Sequence, residues 1–227
     1  MIGVIVNVVT VLIGSALGLL FRKGIPEKIT NSAMVAIGLC NLCIGVSGMV
    51  QGKDTIILII AMVLGTMIGT ALDIDGKLNS LSEKANSRLK NKSSNISQGF
   101  VTASLVFCVG SMTILGGLDA GLKGDNTLYY TKAVLDLISS AMLTTTLGIG
   151  VVFAAGTVFV YQGALVLLAG LLAPYLTAEI IAELNCAGSL MIFALGLNLT
   201  GIGKFKVANF LPAIIIVPIA CIVKGLL

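Results

Sequence analysis

Histidine and tryptophan are absent from the 227 residues, and charged residues make up only 11%. Without histidine, catalysis through an imidazole base and the zinc sites that use imidazole ligands are excluded. Soluble domains average about 25% charged residues, whereas this chain is 57% hydrophobic and has a mean hydropathy of +1.07. The composition therefore predicts an all-α membrane protein, with residues 1–227 as a single polytopic membrane domain.

Several function classes lack the residues that they need. The five cysteines are scattered through apolar stretches, which favours packing over a metal or redox site, even for Cys40-x-x-Cys43. A basic stripe with interleaved aromatics is missing, which argues against nucleic acid, and a Walker motif is missing, which argues against nucleotide hydrolysis. We expect no metal, no cofactor and no enzymatic activity.

Apolar runs predict about eight transmembrane helices, because a bilayer core of about 30 Å takes ~20 helical residues. We place these spans at about 2–21, 32–50, 55–72, 99–118, 132–148, 150–173, 183–200 and 208–226. Residues 73–97 form the one long polar segment, and its Leu78, Leu81, Ala85 and Leu89 recur at helical spacing. This segment is predicted to be a cytoplasmic loop with an amphipathic helix at the membrane interface.

Cytoplasmic loops of membrane proteins are enriched in lysine and arginine. With eight spans and the N-terminus outside, ten of the fourteen cations lie inside, including Lys204 and Lys206. A seven-span alternative, in which spans 5 and 6 merge, moves those two lysines outside. Length favours eight spans, since the uncharged run from about 137 to 174 is too long for one helix at ordinary tilt.

Asp136 is the one acidic residue placed inside an apolar run rather than at a boundary or in a loop. Asp136, Ser139, Ser140 and Thr144 fall at i, i+3, i+4 and i+8, which puts them along one helical face. Ionisable residues within membrane spans are typical of functional sites. The alternative is a shallow acid that snorkels to the interface and pairs with Lys132 at i−4.

Glycine near serine or threonine is predicted to interrupt two neighbouring spans, span 4 at Gly110 beside Ser111 and span 5 in the stretch from Thr144 to Gly150 that contains Gly148. Interrupted backbone inside a membrane is tolerated only against protein or a water-filled cavity. A pair of interrupted spans is typical of a transporter's binding site. The sequence therefore predicts a polar site at these two breaks.

Spans 1–3 and 6–8 share a spacing of polar and small residues, in which Asn7 matches Gln162. Because five spans separate the starts of the two units, equivalent helices face opposite ways, which makes this an inverted repeat around spans 4 and 5. The alternative is helices that look alike because all are apolar. Asn7 and Gln162 are either pocket residues or hydrogen-bonding partners between helices.

The chain resembles a known family along nearly its whole length. The resemblance rests on Gly3-x-x-x-Asn7 with Gly14 and Gly18, Phe107 to Met112, Leu135-Asp136, Leu147 to Val151, Tyr161-Gln162-Gly163, Gly188 with Gly196-Leu197-Asn198, and Ala208-Asn209-x-Leu211-Pro212-Ala213. These motifs are similar to those of the YdfK/YqgA-like bacterial membrane proteins, a domain of unknown function. The resemblance implies a multi-pass protein of the bacterial cytoplasmic (inner) membrane, and it implies no substrate and no catalytic residue.

The hypothesis that follows is a small-solute secondary transporter or exporter with a polar site at the membrane midplane. Asp136 is the candidate site for a coupling proton or sodium ion, and the remaining candidates are Asn7, Gly110, Ser111, Ser139, Ser140, Thr144, Gly148, Gly150 and Gln162. The expected partners are the lipid bilayer and a small, neutral or singly charged solute. A homo-oligomer, a non-transporting scaffold or accessory subunit, and an uncoupled channel remain open alternatives.

Overall fold

A computed structural model describes residues 1–22, 26–89 and 96–225, without the side chains of residues 27, 81, 82 and 85–89. The described residues form helices and turns, and no strand occurs among them. The helices are α1 Ile2–Arg22, α2 Glu27–Met49, α3 Thr55–Ala71, α4 Ile74–Leu89, α5 Ile96–Cys108, α6 Ser111–Leu122, α7 Thr127–Leu147, α8 Gly150–Leu167, α9 Ala169–Leu172, α10 Ala178–Leu199 and α11 Ala213–Gly225, with a short 3₁₀ turn at Val207–Phe210 before α11. The all-α prediction is confirmed.

Five of the described helical segments are long and apolar enough to cross a membrane, or up to seven if each of two bent helix pairs is one span. The bent pairs are α3 with α4, at 49°, and α5 with α6, at 59°. Helix α7 is outside that count, although it is 21 residues long. Spans 5 and 6 form two separate helices, α7 and α8, and the total of eight spans stays a prediction.

The two predicted breaks differ in kind. Helix α5 ends at Cys108 and α6 begins at Ser111, so span 4 is interrupted within its length. Helix α7, in contrast, is continuous from Thr127 to Leu147, and Gly148 ends it with a φ of 78°. Gly148 and Ile149 form the turn into α8, so the break predicted for span 5 lies at its end.

Small residues set which helices pack closely. A Cβ at Gly14 or Gly18 of α1 would overlap the backbone carbonyl of Leu137 or Ala141 in α7, so these two helices approach in parallel at short distance. Gly38 of α2 lies against Thr200, and Gly48 lies against Ser189, so α2 and α10 run antiparallel. The small-residue motifs therefore pack helices within one chain.

Apolar side chains fill the space between these pairs in two main clusters. The first joins α3, α5, α10 and α11 around Met191, and the second joins α1, α5, α7 and α8 around Phe107. Helix α5 contributes to both clusters. The interruption at Gly110 therefore lies in the helix that connects the two halves of the interior.

The polar segment contains the predicted helix, α4, over Ile74–Leu89. Asn209 accepts a hydrogen bond at 2.9 Å from the backbone N–H of Asp75, which holds the start of α4 against the 3₁₀ turn. Leu78 packs on the apolar interior, and Lys77 is exposed. Leu81, Ala85 and Leu89 have undescribed side chains, and residues 90–95, with the cations Lys90 and Lys92, lie outside the described residues.

Candidate functional site

Asp136 is the tenth residue of α7, so it lies near the middle of the helix rather than close to its start. Lys132, one turn earlier, places its Nζ 2.9 Å from each carboxylate oxygen of Asp136. Only 4% of Asp136 and 6% of Lys132 are exposed. The predicted pairing at i−4 is therefore present, and both of its groups are buried inside the helix bundle.

Asn7 connects this ion pair to a third helix. Its Nδ2 donates to Asp136 Oδ2 at 3.0 Å and to Gln162 Oε1 at 3.2 Å. Asn7 and Gln162 are both fully buried. Side chains from α1, α7 and α8 thus meet in one buried polar cluster, which we define as Asn7, Lys132, Asp136 and Gln162.

Two atoms of the polar cluster have no hydrogen-bond partner among the described residues, Asn7 Oδ1 and Gln162 Nε2. One is an acceptor and the other a donor. A buried polar atom without a partner costs about 1–3 kcal/mol. The polar cluster is therefore only partly satisfied by the side chains of the described residues.

A cavity of about 200 Å³ lies at the break between α5 and α6. It is lined by Phe100, Val101, Ser104, Leu105, Cys108, Val109, Gly110, Ile114, Thr157, Tyr161, Leu184, Asn185, Leu211 and Ile214. Gly110 has φ 147° and ψ 143°, a conformation that is essentially restricted to glycine. The break is thus a defined backbone feature that opens a mostly apolar chamber.

Thr113 and Tyr129 stabilise the backbone around this break. The Thr113 hydroxyl donates to the Phe107 carbonyl at 3.3 Å, which satisfies one acceptor at the end of α5. Buried Tyr129 of α7 donates its hydroxyl proton to the Thr113 carbonyl at 3.1 Å. The break is therefore connected to the helix that carries Asp136.

The cavity and the polar cluster are neighbours but are distinct. Asp136 is not among the residues that line the cavity. Tyr161 lines it, and the next residue, Gln162, belongs to the cluster. Cys108, also in the cavity wall, lies within electrostatic reach of Lys132 and Asp136. Where the sequence predicted a single hollow, the structure has a cavity at the break and a separate, buried polar cluster beside it.

The remaining predicted residues fall outside both features or at their edge. Ser140 lies against Gly14, and Thr144 lies against Gly18, so both are on the face that packs on α1. Ser139 is half-buried on α7, and Ser111 is half-buried at the first position of α6.

Gly148 and Gly150 form the turn between α7 and α8. A Cβ at Gly150 would overlap the carbonyl of Ile96 at the start of α5. These two glycines therefore shape a helix junction, and neither borders the described cavity at the break.

Sequence reasoning did not assign Ser104, Thr157 and Asn185 to the site. Ser104 donates to Thr157 at 3.2 Å in the cavity wall. Helical spacing could have indicated Ser104, because it lies one turn before Cys108 and therefore on the same face of α5. Thr157 and Asn185 have no such signal, because only the packing of α8 and α10 on α5 brings them to the cavity.

A family described as "Protein of unknown function (DUF554)" matches residues 2–222. The chain belongs to this family. That result confirms the resemblance found in the sequence, and the matched range includes the polar cluster and the break at Gly110.

Two relatives of this DUF554 chain align over nearly their whole length. The chain is 34% identical to "Uncharacterized membrane protein YdfK" of Bacillus subtilis (strain 168), over 98% of this chain and 96% of that protein. It is 30% identical to "Uncharacterized protein YqgA" of Escherichia coli (strain K12), over 95% of this chain and 94% of that protein. No solved structure matches the chain. The chain is thus a membrane protein whose expected partner is the lipid bilayer.

Proposed function

We propose that this protein is a secondary transporter or exporter of a small solute in the bacterial cytoplasmic membrane. The chamber at Gly110 holds the solute, and the polar cluster binds the coupling proton or sodium ion at Asp136. The observation that carries this proposal is the hydrogen bond between Asn7 and Gln162 beside a buried ion pair. The chain acts in this scheme without a cofactor and without catalysis.

The contact between Asn7 and Gln162 supports the proposal because these residues occupy matched positions of the predicted inverted repeat. Equivalent residues of two repeats touch each other only where they approach the pseudo-two-fold axis. Transporters built from inverted repeats place their substrate and ion sites at that axis, near the bilayer midplane. A buried polar cluster at the contact of two matched positions supports the proposal.

The packing of the helices supports the same repeat. Under it, α1 corresponds to α8, α2 to α10 and α3 to α11, and each of these pairs is in contact. Gly65 and Gly69 of α3 lie against Ala213 and Asn209, while Asp54 pairs with Lys224, so α3 and α11 run antiparallel like α2 and α10. Antiparallel contact between equivalent helices is what a two-fold axis in the membrane plane produces.

Coupling follows from the chemistry of the ion pair. A proton on Asp136 neutralises the carboxylate, and a sodium ion competes with Lys132 for it, so in either case the carboxylate no longer holds Lys132 and the Asn7 amide in place. The Lys132 ammonium then lacks its partner in a buried site, which is unfavourable by several kcal/mol. The α7 side chains must rearrange, and Cys108 and Tyr161 connect that rearrangement to the chamber wall.

The chamber favours a small solute that is neutral or carries one charge. Its wall is almost entirely apolar, and the lining residues with polar side chains are Ser104, Thr157, Tyr161 and Asn185, of which Ser104 and Thr157 are hydrogen-bonded to each other. Binding sites of this kind orient a ligand by a few polar contacts within an apolar enclosure. No ionised side chain is present among the described residues of the wall.

The test is transport in proteoliposomes, with radiolabelled solutes to measure solute uptake and the entrapped pH dye pyranine to measure proton movement. A panel of amino acids, polyols, monocarboxylates and amines is added under imposed proton or sodium gradients. We expect at least one solute to move with the gradient, and Asp136→Asn to abolish the coupled movement. Asp119→Asn is the matched control, because Asp119 forms the same i,i+4 pair with Lys123 at an exposed site.

The other outcomes identify the alternatives. Passive flux that Asp136→Asn leaves intact indicates an uncoupled channel. The absence of flux for every solute, in wild type and variant alike, indicates a scaffold or accessory subunit and overturns the transporter proposal. Size-exclusion profiles of the purified variants show that each is folded.

A further inference from the structure

Polar side chains in the wall of the chamber at Gly110 make their hydrogen bonds to other protein groups. Ser104 donates its hydroxyl proton to Thr157 at 3.2 Å, and both residues belong to the wall. The side-chain amide of Asn185 donates at 2.9 Å to Gln51, which lies outside the wall in the turn between α2 and α3. These donors therefore hold helices together and are not available to a solute.

Backbone groups at the break are also hydrogen-bonded within the protein. The Gly110 carbonyl accepts from the N–H of Thr113 at 3.1 Å, and the Phe107 carbonyl accepts from the Thr113 hydroxyl at 3.3 Å. The N–H of Val109 donates to the Leu105 carbonyl at 2.8 Å. These groups need no water or solute to satisfy them.

Most of the remaining wall is aliphatic or aromatic. Helices α5, α6, α10 and α11 contribute to it, among others through Phe100, Leu105, Ile114, Leu184 and Ile214. A hydrated solute that entered would lose its water and find few new partners, and burying a polar group without a partner is unfavourable. An apolar solute has no such cost, so the wall selects for it.

The volume of the chamber limits the size of that solute. It is about 200 Å³, and an engineered apolar cavity of about 150 Å³ stays dry and binds benzene. The chamber therefore has room for one aromatic ring or for a fused pair of rings such as indole.

We propose that the chamber at Gly110 binds neutral, largely apolar solutes of about the size of benzene to indole, and rejects strongly hydrated solutes of the same size. The role of the chamber in transport rests on the proposed function, and the inference narrows the solute of that function to one bound as a neutral species. Binding itself is a property of the chamber wall, so it is measurable without a gradient.

The test uses the fluorescence of indole, because the chain contains no tryptophan and adds no indole signal of its own. Indole is titrated against the purified wild-type protein in detergent, and nicotinamide, a polar ring compound of similar size, competes with it. We expect saturable binding of indole. Nicotinamide is expected to bind more weakly by about tenfold or more, because its amide would be buried without partners.

Variants separate the chamber from the detergent, which also dissolves indole. Ser104→Phe places a ring in the chamber and is expected to abolish the saturable part of the signal. Val160→Phe is the matched control, because Val160 is 68% exposed on α8 and lies outside the wall, so it should retain wild-type binding. Size-exclusion profiles show whether each variant folds, and Thr157→Phe fills the chamber from α8 if Ser104→Phe does not.

The assignment is overturned if the wild type binds no indole saturably, if nicotinamide binds as well as indole, or if a folded chamber-filling variant keeps full binding. Displacement of indole by an equimolar amount of phospholipid would also overturn it, and would make an acyl chain the occupant.

The proposed function fails by a different result. Indole binding without coupled flux of any solute leaves this assignment standing and removes the transporter. Coupled flux of a hydrated solute without indole binding keeps the transporter and removes this assignment.

Discussion

At the residue scale, the buried ion pair of Lys132 and Asp136 is stable only because its geometry offsets the cost of removing two charges from water. Removing two charges from water is expensive, and their mutual attraction offsets that cost only with good geometry and further hydrogen bonds. The two 2.9 Å contacts and the Asn7 amide provide that geometry. Replacing one partner is therefore predicted to lower the free energy of unfolding much more than replacing both.

Lys132→Met leaves the Asp136 carboxylate buried without its cation and is expected to lower the free energy of unfolding by about 3–5 kcal/mol. The double variant Lys132→Met/Asp136→Leu removes both charges at similar volume, so most of that loss should be recovered. Unfolding titrations in mixed micelles measure both values. A single variant as stable as the double variant would show that the pair is not energetically coupled.

The double variant also separates structure from transport. A folded, stable protein that has lost coupled flux places the carboxylate in the transport step. Full coupled flux in the same double variant would remove Asp136 from the proposed mechanism.

At the element scale, the break between α5 and α6 depends on the backbone of one residue. A Cβ at Gly110 would meet no atom within 4 Å, so the requirement for glycine comes from its φ of 147° and not from crowding. The interruption turns α6 away from α5 by 59° and leaves the chamber between them. The shape of this part of the bundle therefore depends on a backbone conformation that glycine adopts and other residues rarely do.

Gly110→Ala is expected to cost about 1–3 kcal/mol of stability, because alanine rarely adopts that conformation. The control is Gly156→Ala in the middle of α8, where a Cβ would also meet open space but the backbone is helical. That control should be neutral or gain up to about 1 kcal/mol. Thermal unfolding of the two purified variants gives the comparison. Equal stabilities would mean that position 110 does not require glycine.

At the scale of the whole molecule, charge distribution predicts the orientation in the membrane. The N-terminus is predicted outside, with the polar segment 73–97 and the loop after α10 inside. Lys204 distinguishes the two arrangements, because it lies inside with eight spans and outside with seven.

Single cysteines at exposed positions test this topology on a background without the five native cysteines. In spheroplasts, we expect a membrane-impermeant maleimide to label Lys123→Cys, and to label Ser80→Cys and Lys204→Cys only after permeabilisation. Labelling of Lys204→Cys from outside, with Ser80→Cys still protected, would support seven spans. Exchange of the inside and outside patterns would reverse the predicted orientation.

Local patterns were enough to predict the class of protein, the helices and the residues worth testing. The break at Gly110 and the turn at Gly148 could be predicted from the sequence, because a glycine near serine or threonine affects the backbone only within a few residues of its own position. The pairing of Lys132 with Asp136 is likewise predictable, since residues four apart lie on one helical face.

The tertiary structure decided which of these residues meet. Asn7 and Asp136 are 129 positions apart, and their hydrogen bond exists because glycines on α1 allow close packing on α7. The same packing turned Ser140 and Thr144 toward α1 and away from the chamber. Helical periodicity assigns a residue to a face of its own helix, but only the packing of helices determines what that face contacts.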